Sequence, residues 1–306
     1  MQLHRFSNSL TIQTPAKLNL FFEILGKRSD SWHEIETVTV PVDLYDELTF
    51  SKNETGSGVE FSGQSEIQEE NPVPFDETNL VMKAVRLFEQ IGNRKLSLSI
   101  RLTKRIPSQA GLGGGSSDAA AVLVGLNELE QTGYTRKQLQ LMAGKLGSDV
   151  PLFLEPGGAF GWGRGEHTCS LDYIPEMNFV ILKPREGLST PAVYEQYSRL
   201  SDKTPRPIND MLRAIQLQSP ELIGCCLFNR LEQPAVQLWK ELGGYKSLLR
   251  PLPGVLGVQM SGSGTAVFAL CRTVEAAQNV FDSLTRLILP VQLFIAKTCQ
   301  SDWYAH

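Results

Sequence analysis

Residues 106–129 read IPSQAGLGGGSSDAAAVLVGLNEL, and this stretch decides how the rest of the chain is read. Gly111, Gly113, Gly114 and Gly115 strip the side chains from one short loop, so its backbone N–H groups can approach an anion closely. From Ser116 to about Glu130 the pattern is that of a helix. A helix beginning where such a loop ends adds unpaired N–H groups and a favourable dipole. Ser116 and Ser117 stand where they can cap that helix or bond phosphate oxygens. Two better-known loops are excluded. No Lys follows the glycines as GxxxxGK[ST] requires, and Ser116 stands where GxGxxG needs its third glycine. A bare glycine run would serve equally as a flexible turn; the complete GLGGGSSDAA before an apolar helix favours phosphate binding.

Working outward, Ala16, Leu18, Leu20, Phe22 and Ile24 alternate with Lys17, Asn19 and Glu23, the pattern of a strand with one buried face. Further strands are expected over Ile35–Val42, Leu96–Thr103, Leu152–Leu154, Gly157–Gly165, Asn178–Lys183, Val255–Met260, Ala266–Leu270 and Val291–Lys297. Helices are expected over Val81–Gln90, after the N-cap candidate Thr135 up to Gly147, and over Val274–Leu287. The polar stretch Ser51–Asn79 reads as hairpin and loop, and Ser201–Asp210, with two prolines, as a linker. Strands grouped with helices, without strict βαβ alternation, indicate an α+β fold.

The chain has 306 residues, enough for two domains or one large one, and its 42% hydrophobic content supplies a sizeable core. The net charge of −4 gives no basic footprint, so no nucleic-acid partner is expected. Five cysteines, an odd number with no CxxC, argue against a disulfide framework or thiolate zinc site and fit a reducing cytosol. His4, His33, His167 and His306 have no metal-ligand spacing. MQLHRFSNSL lacks the apolar core of a signal peptide, and the longest clean apolar stretch, Ala119–Leu126, is too short to span a bilayer. The expectation is a cytoplasmic protein with no membrane partner.

Three stretches resemble, in order, the recurring motifs of the galactokinase–homoserine kinase–mevalonate kinase–phosphomevalonate kinase (GHMP kinase) superfamily. They are PAKLNLFFEILGKRSDSWHEIETV at Pro15–Val38, the loop Pro107–Ala120, and MSGSGTAVFAL at Met260–Leu270. PAKLNL followed by LG-x-R-x-D-x-x-HE, with LGGGSSDAA and LGSDVPLFL (Leu146–Leu154), is most similar to the kinases of 4-diphosphocytidyl-2-C-methyl-D-erythritol in non-mevalonate isoprenoid synthesis. The resemblance covers nearly the whole chain. It implies a two-domain α+β fold, with a ribosomal S5 domain 2-like ATP-binding domain (1–166) and a ferredoxin-like C-terminal domain (167–306). ATP and the small-molecule cytidyl substrate would meet in the cleft between them, in a monomer or weak homodimer.

By that resemblance Asp149 is the catalytic base and Lys17 its charged partner. A carboxylate within hydrogen-bond reach can take the proton of a poorly nucleophilic alcohol, and an ammonium beside it balances phosphate charge. Asn19 shares Lys17's strand parity and is assigned to the substrate. Gly111, Leu112, Gly113, Gly114, Gly115, Ser116 and Ser117 would hold ATP phosphates, with Asn79, Leu80 and Lys104 near the adenine. Trp32 and His33 would stack on and bond the cytosine, with Tyr194 on the base's other face. Ser31 stands where the family usually has glycine, which costs backbone freedom in that turn. Taken singly, each has a plainer reading: Asp149 as a turn residue, Asn79 as a helix cap, Tyr194 as a core aromatic. Mg2+ is implied by the reaction, and its ligands are left open. Two alternatives stand beside the cytidyl kinase. One is another superfamily alcohol kinase, of mevalonate or homoserine type; the other is a catalytically dead, ligand-sensing relative.

Overall fold

Strands β1 (Gln2–Arg5), β2 (Ser9–Lys27) and β3 (His33–Lys52) open the chain as an antiparallel ribbon. The structure, a computed structural model, describes residues 1–6, 8–53, 58–68 and 72–300. The remaining elements of the first half are β4 (Val59–Ser65), α1 (Leu80–Gly92), β5 (Leu98–Lys104), α2 (Gly114–Leu129), α3 (Arg136–Leu146), β6 (Ala159–Gly163) and β7 (His167–Ser170). The second half holds β8 (Asn178–Pro184), α4 (Thr190–Ser198), α5 (Asn209–Gln216), α6 (Pro220–Cys226), β9 (Phe228–Asn229), α7 (Glu232–Leu238), α8 (Glu241–Leu249), β10 (Val255–Met260), β11 (Val267–Cys271), α9 (Val274–Thr285) and β12 (Val291–Lys297).

The first sheet runs β1-β2-β3-β5-β4, with β6 continuing from the far half of β3, β7 pairing β6, and β9 joining β2. One face carries Leu10, Ile12, Phe50 and Ile100 against α1, α2 and α3. Helix α2 is buried on every side from Ser117 to Leu126, and Gly125 lets it sit close to the sheet, since a Cβ there would lie 2.9 Å from the Phe50 ring. The second sheet, β10-β11-β8-β12, is antiparallel throughout, with α9 crossing between β11 and β12. This is the ferredoxin-like arrangement. Its inner face, with Phe179, Ile181 and Phe268, packs on Ala16, Leu18 and Val40 of the first sheet. Its outer face is covered by α4, α7, α8 and α9.

Several expectations change. Strand β2 is buried on both faces from Thr14 to Ile24, because the second sheet, α2 and the cleft enclose it. A bulge pairs Asn19 with Thr39 but Phe21 with Val38, so Leu20 is an extra residue and the strand's alternation changes phase there. Leu18, Leu20 and Phe21 therefore share one core, while Phe22 and Ile24 enter another. Leu152–Leu154 is not a strand but part of a 3-10 turn, Pro151–Leu154, with proline at its start. Part of Ser51–Asn79 forms β4, parallel to β5, and residues 54–57 and 69–71 of it lie outside the described residues. The division between 166 and 167 falls in the β6–β7 turn. Because β7 pairs β6, the first sheet extends through Ser170.

Candidate active site

A cleft of about 1170 Å³ lies between the two halves, and the glycine loop forms its floor. Gly111 and Gly113 hold φ of +74° and +73°, conformations that favour glycine. A Cβ on Gly111 would meet the Ser261 carbonyl oxygen at 1.9 Å, and one on Gly113 would meet Phe153 at 2.8 Å and the Lys17 stem at 3.0 Å. The loop is thus wedged between β2 and the turn after β10. Ser261 Oγ donates to the Gly111 carbonyl (2.8 Å) and the Ala266 N–H to the Ala110 carbonyl (3.0 Å). The Gly262-Ser263-Gly264 turn therefore shares the cleft with the glycine loop. Helix α2 begins at Gly114, capped by Gly113 rather than by a serine, which leaves the N–H groups of residues 113–116 without partners inside the helix. Gly113, Gly114, Gly115 and Ser116 all line the cleft.

Two loop residues face elsewhere. The Leu112 side chain is buried in the core between the sheets, and its carbonyl accepts the Lys17 N–H at 2.9 Å. The Ser117 hydroxyl is fully buried and donates to the Pro15 carbonyl at 2.7 Å, while its N–H bonds the Gly113 carbonyl at 2.9 Å. Both of its donors are spent, the hydroxyl on β2 and the N–H within α2, so neither is open to a phosphate.

Lys17 leaves β2 toward the cleft. Its Nζ lies 2.5 Å from Asn19 Oδ1 and 3.4 Å from Asp149 Oδ2. Asp149 sits in the turn after α3, and its side chain is 40% exposed to the cleft while that of Lys17 is 5% exposed, so the carboxylate is the half of the pair that a ligand can reach. Asn19 differs from expectation. Its amide donates to Thr37 Oγ1 (2.9 Å), its oxygen accepts from Lys17, and it is buried beneath the cleft rather than lining it. It holds the Lys17 ammonium from beneath the cleft.

Lys104 lines the cleft with its charge already paired. Its ammonium is closed between Asp46 and Asp118 Oδ2, at 3.1 Å from the latter, all three side chains being buried. Burial alone would lower this lysine, but Asp118 and Asp46 outweigh it and hold the ammonium above the usual lysine range. Burial pushes the Asp118 carboxyl well above the ordinary carboxylate range. Asp46 Oδ1 accepts the N–H groups of Arg105 (2.6 Å) and Ile106 (2.9 Å), so the triad braces the end of β5 under the start of α2. Asn79 caps α1 through Oδ1 to the Val81 N–H at 2.9 Å and lines the cleft beside Leu80.

At the other end, Trp32 is exposed with the Arg164 guanidinium 5.1 Å from its ring centroid. His33 lies 4.9 Å from Tyr194 between ring centroids. Burial first, then the charges of Lys27 and Lys203, hold His33 below its usual value, so the imidazole is neutral at pH 7. Burial, then the Asp149 charge, pushes the Tyr194 phenol up. Ser31 keeps a left-handed φ of +71° in the turn before them. Trp162, left unassigned from sequence, stacks between Phe160 and His167 and does not line the cleft. Sequence reasoning missed Arg164 and Ser261. Their signal was position: Arg164 stands between two glycines, and Ser261 directly precedes Gly262 in the third motif.

Residues 79–157 match the model for the GHMP kinases N-terminal domain, and residues 211–288 that for the GHMP kinases C-terminal domain. The chain is 39% identical, over 89% of its length and 92% of the relative's, to a 4-diphosphocytidyl-2-C-methyl-D-erythritol kinase of Pelotomaculum thermopropionicum. A crystal structure of 4-(cytidine 5'-diphospho)-2C-methyl-D-erythritol kinase superposes with a TM-score of 0.77 at 32% identity, covering 94% of this chain and 98% of that one. A homoserine kinase from Cytophaga hutchinsonii shares the fold alone, at a TM-score of 0.74 and 18% identity over 98% and 97% of the two chains.

Proposed function

The chain belongs to the GHMP kinases, and within them to the 4-diphosphocytidyl-2-C-methyl-D-erythritol kinases, and from that premise we propose that it transfers the γ-phosphate of ATP to the 2-hydroxyl of 4-diphosphocytidyl-2-C-methyl-D-erythritol. The observation that carries the reading is the Lys17–Asp149 pair, 3.4 Å apart, in one cleft with the glycine loop on one side and Trp32 and His33 on the other. The loop's free N–H groups bind the ATP phosphates, and Trp32 and His33 take the cytosine. The acceptor hydroxyl then lies at Asp149.

Asp149 takes the hydroxyl proton as the new oxygen–phosphorus bond forms and the bond to the ADP oxygen breaks. Lys17, held by Asn19, faces the charge gathering on the transferred phosphoryl group. Gly111 and Gly113 let the backbone stand where side chains would otherwise fill the phosphate site. Among the described residues no group of three His, Cys, Asp or Glu is placed to hold a metal ion. The Ser116 hydroxyl, lining the cleft at the start of α2, is a protein oxygen that would hold Mg2+ brought in with ATP. When bound the ion neutralises charge on the β and γ phosphates.

Phosphorus NMR of the reaction with Mg-ATP tests the reading. A new phosphomonoester resonance, with the substrate diphosphate retained, is expected. Hydrolysis of ATP without that resonance would contradict it.

A further inference from the structure

Among the described residues, three basic side chains line the cleft: Lys17, Lys104 and Arg164. The first two are already engaged, by Asn19 and Asp149 and by Asp46 and Asp118. Arg164 is not. It sits in the β6–β7 turn between Gly163 and Gly165, whose φ values of +76° and +110° set the turn. Glu166 holds it twice, accepting the Arg164 backbone N–H at 2.5 Å and Nε at 3.2 Å. The fork formed by the two Nη groups has no other polar partner among the described residues, and the side chain is 31% exposed. The guanidinium lies over Trp32, and a Cβ on neighbouring Gly165 would meet Ser148, the residue before Asp149, at 3.3 Å.

The open side of the guanidinium therefore stands at the ring assigned to the cytosine, in a turn whose next residue, Gly165, packs on the turn that carries Asp149. We propose that Arg164 clamps the diphosphate of the cytidyl substrate. The proposal rests on the functional reading above. A substrate with its base at Trp32 and its alcohol at Asp149 must lay its diphosphate between them. That group carries at least two negative charges near neutral pH, and a guanidinium fork matches two phosphate oxygens at once. Pinning Nε on Glu166 leaves that fork oriented, and the Trp32 face fixes its plane.

The test is calorimetric binding of cytidine, CMP and CDP, with saturating ADP present to occupy the glycine loop. Wild type, Arg164→Ala and Arg164→Lys are compared. Wild type should bind CDP about 10- to 100-fold more tightly than cytidine, the range of charge-assisted hydrogen bonds. Arg164→Ala should lose most of that preference while its cytidine affinity holds within about threefold. Arg164→Lys, keeping the charge without the fork, should fall between. KM for the cytidyl substrate should rise in step while KM for ATP stays level. A CDP-to-cytidine ratio unchanged in Arg164→Ala overturns the proposal. So does an equal loss for cytidine and CDP, which would make Arg164 only a prop for Trp32. Wild type that binds neither ligand would instead sink the functional reading, and this proposal with it.

Discussion

Replacing Lys104 with Met should damage stability far more than ATP recognition. The ammonium is 2% exposed and lies between Asp46, fully buried, and Asp118, 3% exposed. Methionine fills the volume but leaves two buried carboxylates without their cation. Removing one partner of a buried ion pair costs about 3–5 kcal/mol. Asp46 keeps its two backbone N–H bonds, which places the expected loss near the lower end, about 3 kcal/mol at pH 7. The loss should depend on pH with a definite sign. Burial already holds the Asp118 carboxyl above its unfolded value. A carboxyl raised in the folded state stabilises the fold when protonated, and that contribution fades as pH climbs through the folded value. Removing Lys104 raises it further, so the deficit of the variant should grow from pH 5 to pH 7. Urea unfolding at both pH values measures this, with KM for ATP determined alongside. Adding Asp118→Leu should restore more than half of the loss. A deficit under about 1 kcal/mol at both pH values, with a large rise in KM for ATP, would refute the bracing role and return Lys104 to the nucleotide.

Asp149→Asn should lower turnover by about 10²- to 10⁴-fold with ADP and ATP binding retained, and unchanged single-turnover rates would remove Asp149 from the base role. KM for the cytidyl substrate should be flat above pH 6.5 and rise below it, as the depressed His33 takes up a proton and loses its acceptor; His33→Gln should flatten that profile, and a rise above pH 7 would contradict it. Gly111→Ala should lower the unfolding midpoint and raise KM for ATP about tenfold, because its Cβ would fall 1.9 Å from the Ser261 carbonyl. Gly133→Ala, with a similar φ of +69° and nothing within 4 Å, should cost only the backbone strain of about 1–2 kcal/mol, and equal effects at the two sites would show that the loop contact is immaterial.

What was legible in the sequence was what local chemistry fixes. The glycine loop, the Thr135 N-cap, and the second-half strands read over Asn178–Lys183, Val255–Met260 and Val291–Lys297 are set by neighbours in the chain. The bulge at Leu20 was not legible, because it depends on how β3 pairs rather than on β2 itself. Residues 151–154 mislead for a related reason: a short apolar run has no period that separates strand from turn. Helices α5 to α8 went unread, their two-turn lengths giving weak patterns. Among site residues, side-chain type could not tell a ligand contact from a protein contact. Lys17 and Lys104 are both buried lysines at strand positions, yet one meets the exposed Asp149 and the other two buried carboxylates. Ser116 and Ser117 are adjacent, and the turn of α2 sends one to the cleft and the other to the Pro15 carbonyl.

The central claim is that this cleft selects a cytidyl alcohol for phosphorylation. The direct test is kcat/KM for ADP release by the purified chain with Mg-ATP, comparing 4-diphosphocytidyl-2-C-methyl-D-erythritol with mevalonate, homoserine and galactose. The account predicts strong turnover with the cytidyl compound alone. Turnover of one of the other alcohols, with none for the cytidyl compound, would contradict it, leaving the glycine loop and Asp149 in place but removing the cytosine from Trp32 and His33.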